Sequence, residues 1–358
     1  MIDNKFWSNK NVLITGSTGF KGSWLSLLLL KLDALVTGFS LPPPTVPSLF
    51  DLVDLEGIYS FNQTVGDIRN LPRIKHVFDS VKPEIVFHLA AQPLVIDSYD
   101  KPVYTFETNT LGTVNVLEAC RTTPSVKSIV IITTDKVYHD KQWPWPYREN
   151  DTLGGYDPYA ASKAASEIVT DSYRNSFFKK DKFVATARSG NVLGGGDWAK
   201  NRLIPDCVKA VLSGEPITLR HLRAVRPWQF VLDPLIGYLM LAEKLYDNEC
   251  FADSWNFGPN DDQYLETLDL VEKFMDYWVE ANGHPVPIKA EELPHTTHET
   301  EILKLDSTKA RSKLGWKSVT DINKTIKNVI DFTVAFKYNK DVFEVCTNQI
   351  EETLDAYR

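Results

Sequence analysis

The sequence predicts an α/β protein with a Rossmann-type, doubly wound parallel sheet and a smaller mixed α/β lobe. Over the first half of the chain, short apolar runs alternate with helical patterns, as in a sheet wound by crossover helices. The runs are apolar at every position, which is typical of parallel strands covered on both faces. After residue 190 the alternation stops. We therefore expect residues 1–190 to form the wound sheet and residues 191–358 a second lobe, with some later segments returning to the first.

The predicted elements follow one another in the order that such a sheet requires. The strands of the wound sheet, each a short apolar run, are expected at residues 11–15, 34–40, 84–91 and 128–134, and a short strand of the second lobe is expected at 215–220. The helices, each with an amphipathic or buried pattern, are expected at residues 22–32, 70–81, 103–120, 265–280 and 322–336. An acidic, helix-like segment closes the chain.

The composition and the apolar runs disfavour a nucleic-acid-binding protein and a membrane-spanning protein. The chain has 358 residues and a net charge of -8, so its overall charge does not attract nucleic acid. The apolar run at residues 24–32 is too short to span a bilayer, which takes about 20 residues. It also follows a glycine-rich turn, so a buried helix is expected there. We predict no nucleic-acid partner and no membrane partner.

Cysteines and histidines do not predict a metal site. The four cysteines are widely scattered and form no CxxC pair, which disfavours a disulfide framework or a zinc site and fits a reducing, cytoplasmic compartment. His295 and His298 lie close together, but no partnering set of cysteines or carboxylates accompanies them. We therefore expect no metal.

The stretch TGSTGFKG places Gly16, Gly19 and Gly22 between a predicted strand and a predicted helix. Glycines here permit a tight turn and let backbone N–H groups approach a pyrophosphate at the helix N-terminus. Ordinary strand–helix turns also carry glycines at such spacing. In this chain, however, the strand before and the helix after supply the context that the motif needs. The turn predicts a dinucleotide-binding site.

The end of the second strand bears on the choice of dinucleotide. An acidic residue that contacts the ribose is expected about 20 residues beyond the turn. This chain has Ser40 in that area and no carboxylate, and no arginine stands there to meet a 2′-phosphate. We predict NAD rather than NADP. Asp67, after a further strand, is expected either to contact the adenine or to cap a helix.

The segment YDPYAASKAASE places Tyr159 and Lys163 four residues apart, on one face of a helix. An ammonium group beside a phenol favours the phenolate, so we expect the pKa of Tyr159 to be drawn down. The phenolate can take a hydroxyl proton while a hydride leaves the adjacent carbon for nicotinamide. The alternative is a surface helix with an aromatic residue packed inward, which the glycine turn upstream disfavours.

Together, TGSTGFKG, HLAAQ and YAASK resemble the extended short-chain dehydrogenases, which act on nucleotide sugars. The resemblance covers nearly the whole chain, because TNTLGTVNVLEAC and LKLDSTKARSKLGW also fit. It implies a homodimer or homotetramer, in which the helices at 103–120 and 159–173 of two subunits form a four-helix bundle. The cofactor contacts that it implies are Gly16, Thr18, Gly19, Phe20, Gly22, Ser40, Asp67, Ile68, Leu89, Ala90, Ala91, Gln92, Thr108, Tyr159 and Lys163.

The strand at 128–134 ends in a polar triplet that separates two activities within this family. Epimerases need only the tyrosine–lysine pair, whereas dehydratases also need a base for the carbon-5 proton and an acid that helps hydroxide leave carbon-6. Asp135 is placed to be the acid and Lys136 the base, with Thr134 hydrogen-bonding the carbon-4 oxygen. Burial favours a protonated Asp135 and, together with Lys163, a neutral Lys136. The alternative is a solvated charge pair at a strand end.

Asp-Lys at this place is similar to the CDP-glucose 4,6-dehydratases, because most nucleotide-sugar 4,6-dehydratases carry Asp-Glu. GNVLGGGDWAKNRLIPD and WNFGPND agree with that subgroup, while HLRAVRPWQ departs from its usual pattern. The resemblance implies an NAD-dependent lyase that serves deoxysugar synthesis for surface polysaccharides such as O-antigen. A nucleotide-sugar 4-epimerase and a dehydratase of a related nucleotide hexose or heptose stay open. The implied substrate contacts are Gln92, Asn191, Trp198, Arg202, Arg220 and Arg226.

Overall fold

A computed structural model describes residues 2–219, 222–260, 263–290 and 302–357. Its strands are β1 (Asn11–Thr15), β2 (Leu35–Ser40), β3 (Phe61–Val65), β4 (Ile85–His88), β5 (Ser128–Ile132), β6 (Phe183–Ser189), β7 (Val192–Leu193), β8 (Ile217–Leu219), β9 (Val225–Pro227), β10 (Gln229–Phe230), β11 (Ser254–Phe257), β12 (Tyr264–Glu266) and β13 (Ile288–Ala290). Its α-helices are α1 (Asn4–Trp7), α2 (Phe20–Lys31), α3 (Leu49–Leu52), α4 (Leu71–Val81), α5 (Val95–Asp100), α6 (Pro102–Phe106), α7 (Gly112–Thr122), α8 (Pro158–Ser176), α9 (Leu203–Ser213), α10 (Leu232–Asp247), α11 (Thr267–Asn282), α12 (Ile322–Lys337) and α13 (Val342–Ala356).

The centre of the fold is a parallel sheet in the order β11-β6-β5-β4-β1-β2-β3. Every strand pair in it is parallel, and β4 and β5 are buried at every position. The chain winds outward from β1 to β3, then crosses back to place β4 on the other side of β1. This reversal is a topological switch point, where the carboxyl ends of the strands leave a crevice. The predicted doubly wound α/β fold is confirmed.

Two elements differ from the sequence-based prediction. Strand β3, which the sequence indicated only as a further strand before Asp67 and without bounds, lies at the edge of the sheet and is mostly not buried, so its apolar signal is weak. The strand that precedes Asp135 is therefore the fifth in chain order, not the fourth, and it ends at Ile132 rather than at Thr134. Helix α11 begins at Thr267 rather than at Leu265, because Leu265 pairs with Arg226 in the antiparallel pair of β12 and β9.

Segments after residue 190 both return to the sheet and build around it. Helix α10 packs on β5 and β6, and β11 extends the sheet beyond β6. The pairs β7–β10, β8–β13 and β9–β12 form small separate sheets. In the part of the chain that the structure describes, no helix is long and apolar enough to cross a membrane.

Candidate active site

The predicted site residues gather at one edge of the central sheet. Parallel strands β1, β4, β5 and β6 all end at this edge, so the segments that follow them lie side by side. These segments are the glycine turn, residues 89–92, residues 133–136 and residues 189–191. The arrangement follows from strand direction, because the carboxyl ends of parallel strands meet at the same edge.

The glycine turn between β1 and α2 has a geometry that only glycine fits. Gly16 has φ of +77°, and a Cβ there would lie 2.7 Å from the backbone nitrogen of Ala90. A Cβ on Gly22 would lie 2.1 Å from the carbonyl oxygen of Gly16. Gly19 is the N-cap of α2 and supplies no side-chain cap, so Phe20 begins a helix whose N-terminus faces the crevice without a capping side chain. This turn fits the diphosphate of a dinucleotide.

The hydroxyl groups expected near the ribose bond to one another. Ser40 donates to Thr18 Oγ1 at 3.0 Å, and Thr18 donates to the carbonyl oxygen of Leu41 at 2.9 Å. Gln63 of β3 donates to Ser40 Oγ at 3.0 Å and accepts from Ser17 at 2.8 Å. Ser40 is thus buried within a neutral cluster. Its contact with a ribose stays a prediction, as does that of Thr18.

Asp67 does not cap a helix. The N-cap of α4 is Asn70, whose side chain accepts from the backbone N–H of Arg73. The carboxylate of Asp67 instead pairs with Arg69 at 2.6 Å, and this hydrogen bond is the main reason that the pKa of Asp67 lies below its usual value. Asp67 also lines a surface groove of about 780 Å³. Ile68, next along the chain, is buried. Contacts of Asp67 and Ile68 with an adenine stay predictions.

The segment after β4 runs over the carboxyl edge of the sheet beside Leu89. The N–H of Ala90 donates to Thr15 Oγ1 at 3.2 Å, which ties β1 to this segment just before Ala91. The amide of Gln92 bonds to Leu94 and to Thr105 Oγ1, and so it closes a turn. The substrate and cofactor contacts predicted for Gln92 therefore compete with bonds that its side chain already makes.

A π-helical segment, Glu107–Leu111, joins α6 to α7 beside this turn. Such segments often mark functional sites. Thr108 is buried, and its hydroxyl finds no hydrogen-bond partner among the described residues, which leaves it available to a ligand. Asn109 was not predicted from the sequence. Its side chain bonds to both backbone groups of Gln92 and donates to Ser162 of α8.

Thr134, Asp135 and Tyr159 meet at the ends of β5 and α8. Thr134 Oγ1 donates to Asp135 Oδ1 at 3.0 Å, and the Thr134 hydroxyl acts to lower the pKa of Tyr159. Asp135 is 3% exposed, and its other carboxyl oxygen has no hydrogen-bond partner among the described residues. Burial raises the pKa of Asp135. Asp135 is therefore not part of a solvated charge pair, which was the alternative interpretation of this strand end.

The expected effect of Lys163 on Tyr159 is not found. Lys163 directs its ammonium group to the carbonyl oxygen of Ile132, at 2.9 Å, and burial lowers its pKa to about 8. Burial raises the pKa of Tyr159 to about 12, and Lys163 is not among the groups that counter this shift. The prediction of a depressed tyrosine pKa was wrong for this structure, because desolvation of the phenolate outweighs the attraction of nearby positive charge.

Lys136 lies on the other side of Asp135. Its side chain is half-buried and lines a cavity of about 30 Å³ together with Tyr156, Asp157 and Ala160, at the start of α8. The lysine is thus beside the polar triplet and close to the helix of Tyr159. Its burial is less complete than the sequence argument assumed. Its role as a base stays a prediction.

The arginines predicted to hold a diphosphate divide into three cases. Arg226 is 5% exposed, and its charge acts to lower the pKa of Asp135, so it reaches the catalytic end of the site. Arg202 pairs with Asp197 at 3.1 Å, and its charge acts to lower the pKa of Tyr159. Arg220 lies outside the described residues.

The remaining predicted substrate contacts follow β6. Asn191 is exposed, and its carbonyl oxygen accepts from the N–H of Gln229, so its side chain is directed away from the core. Trp198 is buried and packs on Phe336 of α12, with ring centroids 4.8 Å apart. Substrate contacts of Asn191 and Trp198 stay predictions.

One charged residue of the site was missed in the sequence. Lys21, in the first turn of α2, donates to Ser189 Oγ at 2.7 Å and lies near the hydroxyl of Tyr238 at 3.5 Å. Burial lowers its pKa to about 7, while the charge of Asp135 opposes this shift. The available signal was a lysine inside the stretch TGFKG, at a position whose side chain must point either to solvent or into the crevice.

A buried ion pair holds α8, the helix that carries Tyr159 and Lys163, against the central sheet. Glu167, one turn after Lys163, pairs with Arg188 of β6 at 2.8 Å, and both side chains are 2% exposed. Glu167 also accepts hydrogen bonds from Thr133 and Thr186. The pair therefore ties α8 to the ends of β5 and β6, which positions Lys163 against the strand that carries the polar triplet.

Metal binding finds no support among the described ranges, which contain no group of three or more histidine, cysteine or carboxylate side chains arranged to hold an ion. His295 and His298 lie outside those ranges.

Known proteins resemble the whole chain. The family model described as GDP-mannose 4,6 dehydratase matches residues 13–329. The CDP-glucose 4,6-dehydratase of Salmonella typhimurium is 40% identical over 99% of both chains. Among solved structures, dTDP-glucose 4,6-dehydratase from Bacillus anthracis in complex with NAD is 19% identical and has a TM-score of 0.77, with 92% of this chain and 98% of that chain covered. The UDP-glucose 4-epimerase of Thermus thermophilus, in complex with NAD, is 26% identical with a TM-score of 0.76 and covers 90% and 98%.

Proposed function

The chain belongs to the GDP-mannose 4,6 dehydratase family, and from this premise we propose that it is an NAD-dependent lyase that converts CDP-glucose to CDP-4-dehydro-6-deoxyglucose. The full-length relative at 40% identity acts, by its name, on CDP-glucose, which supports the choice of nucleotide and sugar. The activated deoxysugar product fits synthesis of surface polysaccharides such as O-antigen.

The observation that carries this proposal is the buried carboxyl of Asp135 beside the tyrosine. Its Oδ1 is 3.0 Å from Thr134 Oγ1, and the charge of Asp135 acts to raise the pKa of Tyr159. Water loss at carbon-6 needs an acid within the same closed site as the group that handles the carbon-4 hydroxyl. A buried carboxyl, one of whose oxygens has no partner in the described part of the chain, meets that need.

The glycine turn and Thr108 would hold NAD, which would supply a hydride acceptor for carbon-4 and a hydride donor for carbon-6. Tyr159 takes the carbon-4 hydroxyl proton, and the Thr134 hydroxyl, which donates to Asp135 in the structure, rotates to hydrogen-bond the carbon-4 oxygen. Lys136 takes the carbon-5 proton, which the neighbouring ketone makes removable, and gives a proton back to carbon-5 when the hydride returns to carbon-6. Asp135 protonates the hydroxide that leaves carbon-6. Since the hydride returns within each turnover, the cofactor can stay tightly bound.

A nucleotide-sugar 4-epimerase is the rival activity, because epimerases share the fold. The Thermus thermophilus protein is an example. Epimerisation returns the hydride to carbon-4 and removes no water, so it needs no acid for a leaving hydroxide. It gives no function to the buried carboxyl of Asp135. We therefore favour the dehydratase.

The test is incubation of the purified protein with CDP-, dTDP-, UDP- and GDP-glucose, with product mass as the readout. We expect CDP-glucose to lose one water at the highest kcat/KM. An unchanged product mass with a new 4-epimer supports the rival. Preferential water loss from another nucleotide keeps the reaction but changes the substrate.

We also propose that two subunits pair through α6, the π-helical segment and α8. These helices expose apolar side chains, which is typical of surfaces that are covered in an assembly. The exposed side chains are Val103, Phe106, Leu111 and Ile168. Homotetramers of such dimers remain within the proposal.

We place the protein in the cytoplasm because all four cysteines are free thiols. Residues from 191 on, apart from those that return to the sheet, are proposed to bind the nucleotide sugar.

A further inference from the structure

Gly190 lies beside the proposed acid, and the inference drawn from this contact rests on the proposed function. Strands β5 and β6 are parallel neighbours in which Ile132 pairs with Ala187, so Asp135 and Gly190 follow that pair at equal distance along the chain. Both residues therefore lie at the carboxyl edge of the sheet. A Cβ on Gly190 would lie 2.8 Å from Asp135 Oδ2. The Cα of Gly190 is thus packed against the carboxyl, and a side chain there has no room.

The two oxygens of the Asp135 carboxyl have different surroundings. Oδ1 accepts a hydrogen bond from Thr134 Oγ1 at 3.0 Å. Oδ2 is buried and has no hydrogen-bond partner among the described residues. A protonated carboxyl carries one O–H, and since Oδ1 accepts a bond in the structure, that proton is carried by Oδ2. The acid oxygen is therefore the one that lies against Gly190.

The backbone on either side of this glycine is held in place. Before it, Ser189 Oγ accepts from Lys21 at 2.7 Å and is hydrogen-bonded to the hydroxyl of Tyr238 at 2.7 Å. After it, the carbonyl oxygen of Asn191 accepts from the N–H of Gln229 at 3.1 Å. These contacts join the end of β6 to α2, α10 and β10. A larger residue at this position therefore has to displace its neighbours, because the backbone is fixed.

The ring of Pro227 closes the other side of the same space. A Cβ on Gly190 would lie 2.4 Å from Pro227 Cγ, and Pro227 is itself held in β9 by its pairing with Tyr264 of β12. Both separations are far shorter than the contact distance of about 3.5–4 Å between unbonded carbon atoms. A proline ring is rigid, whereas a carboxyl turns about its side-chain bonds. A methyl group on Gly190 would therefore displace the carboxyl of Asp135.

We propose that Gly190 is a positioning residue for the elimination: its missing side chain leaves the space that the Asp135 carboxyl needs to protonate the hydroxide leaving carbon-6. In this step the O–H bond of Asp135 breaks and its proton binds the carbon-6 oxygen. The bond between carbon-6 and oxygen breaks with its electron pair, and water leaves. The electron pair of the carbon-5–hydrogen bond forms the new double bond as Lys136 takes the proton. The proton that Tyr159 gains in the oxidation balances the one that Asp135 loses.

The test compares two leaving groups at carbon-6. Fluoride is a far weaker base than hydroxide, so it leaves CDP-6-fluoro-6-deoxyglucose without a proton from an acid. In Gly190→Ala we expect water loss from CDP-glucose to slow about 100-fold and fluoride release to stay within about threefold of wild type, because only the first needs the acid. Bound nicotinamide should still be reduced at the wild-type rate, since the oxidation of carbon-4 is assigned to Tyr159. Product mass, fluoride release and nicotinamide absorbance are the readouts.

Two further variants separate the acid from general packing. Gly195→Ala is the matched control, because its Cβ would lie 2.1 Å from the ring of Phe332 and far from any reacting group; it should slow both substrates equally or neither. Gly190→Ala/Pro227→Ala removes the ring contact but keeps the contact with Asp135, so it should retain the selective loss of water elimination. Pro227→Ala alone should leave both rates close to wild type. If Gly190→Ala does not fold, the double variant supplies the result.

Three results would overturn the proposal. They are water loss at the wild-type rate in Gly190→Ala, equal slowing of water loss and fluoride release in that variant, and recovery of water loss in Gly190→Ala/Pro227→Ala. The last would show that the proline ring, and not the carboxyl, caused the loss. Failure of wild type to remove water from CDP-glucose is a different result, and it would contradict the proposed function instead.

Discussion

Replacing Lys136 by alanine should separate the two halves of the reaction. The oxidation of carbon-4 is assigned to Tyr159 and Thr134, and Lys136 takes no part in that step. Removal of the carbon-5 proton needs a base, and a positioned acid–base group contributes about 10²–10⁴-fold. We expect dehydration of CDP-glucose to slow about 10³-fold, equivalent to about 4 kcal/mol of activation free energy. Lys136 is half-buried, so its loss should change the free energy of unfolding by less than about 1 kcal/mol.

The assay follows reduced nicotinamide by absorbance and product mass by rapid quench in the same mixture. In Lys136→Ala the reduced cofactor should form at close to the wild-type rate and then persist, because the ketone cannot lose its carbon-5 proton. Lys141→Ala is the matched control, since Lys141 is a nearby lysine that pairs with Asp151 at 2.9 Å. Full dehydration by Lys136→Ala, or equal loss of both steps, would refute the assignment of Lys136 as the base.

The other predictions concern stability and assembly. Glu167→Gln leaves Arg188 buried without its countercharge, so the free energy of unfolding in urea should fall by about 3 kcal/mol; a change below about 1 kcal/mol would contradict a supporting role for the pair. Lys21→Met should stabilise the fold, and the gain should be largest below pH 7. The buried lysine has a folded pKa of about 7 and an unfolded pKa of about 10.5, so wild type regains stability as the pH rises between these values, and the difference between the two proteins should narrow. A difference that stays constant with pH would show that Lys21 is not titrating as described. Ile168→Glu, which places a charge on the exposed face of α8, should shift the protein to a smaller species in size-exclusion chromatography; an unchanged elution volume would place the subunit contact elsewhere.

The architecture, and the fact that the catalytic residues lie close together, could both be predicted from the sequence for one physical reason. Buried parallel strands are apolar at every position, so they can be recognised, and their carboxyl ends share one edge. Thr134 and Asp135 follow β5 directly, and Tyr159 begins the next long helix. Edge strand β3 was harder to recognise because most of its side chains are not buried.

Side-chain partners could not be predicted in the same way, because they depend on contacts far apart in the chain. Lys163 lies on the expected helix face, yet its ammonium group bonds to the carbonyl oxygen of Ile132. Lys21 could have faced solvent, and its direction into the crevice is fixed by Ser189 of β6. Ser40 stands at the expected strand end, but Gln63 of the neighbouring strand holds its hydroxyl. In each case the residue type indicated a role in the site, but the sequence did not predict which group the side chain contacts.

The fate of the carbon-4 hydrogen tests the account most directly. CDP-glucose that carries deuterium at carbon-4 is incubated with the protein, and the product is examined by NMR spectroscopy and mass spectrometry. We expect the deuterium at carbon-6 of a product that has lost one water. Deuterium retained at carbon-4 of an unchanged mass, or its absence from carbon-6 of the dehydrated product, would contradict the proposed 4,6-dehydration.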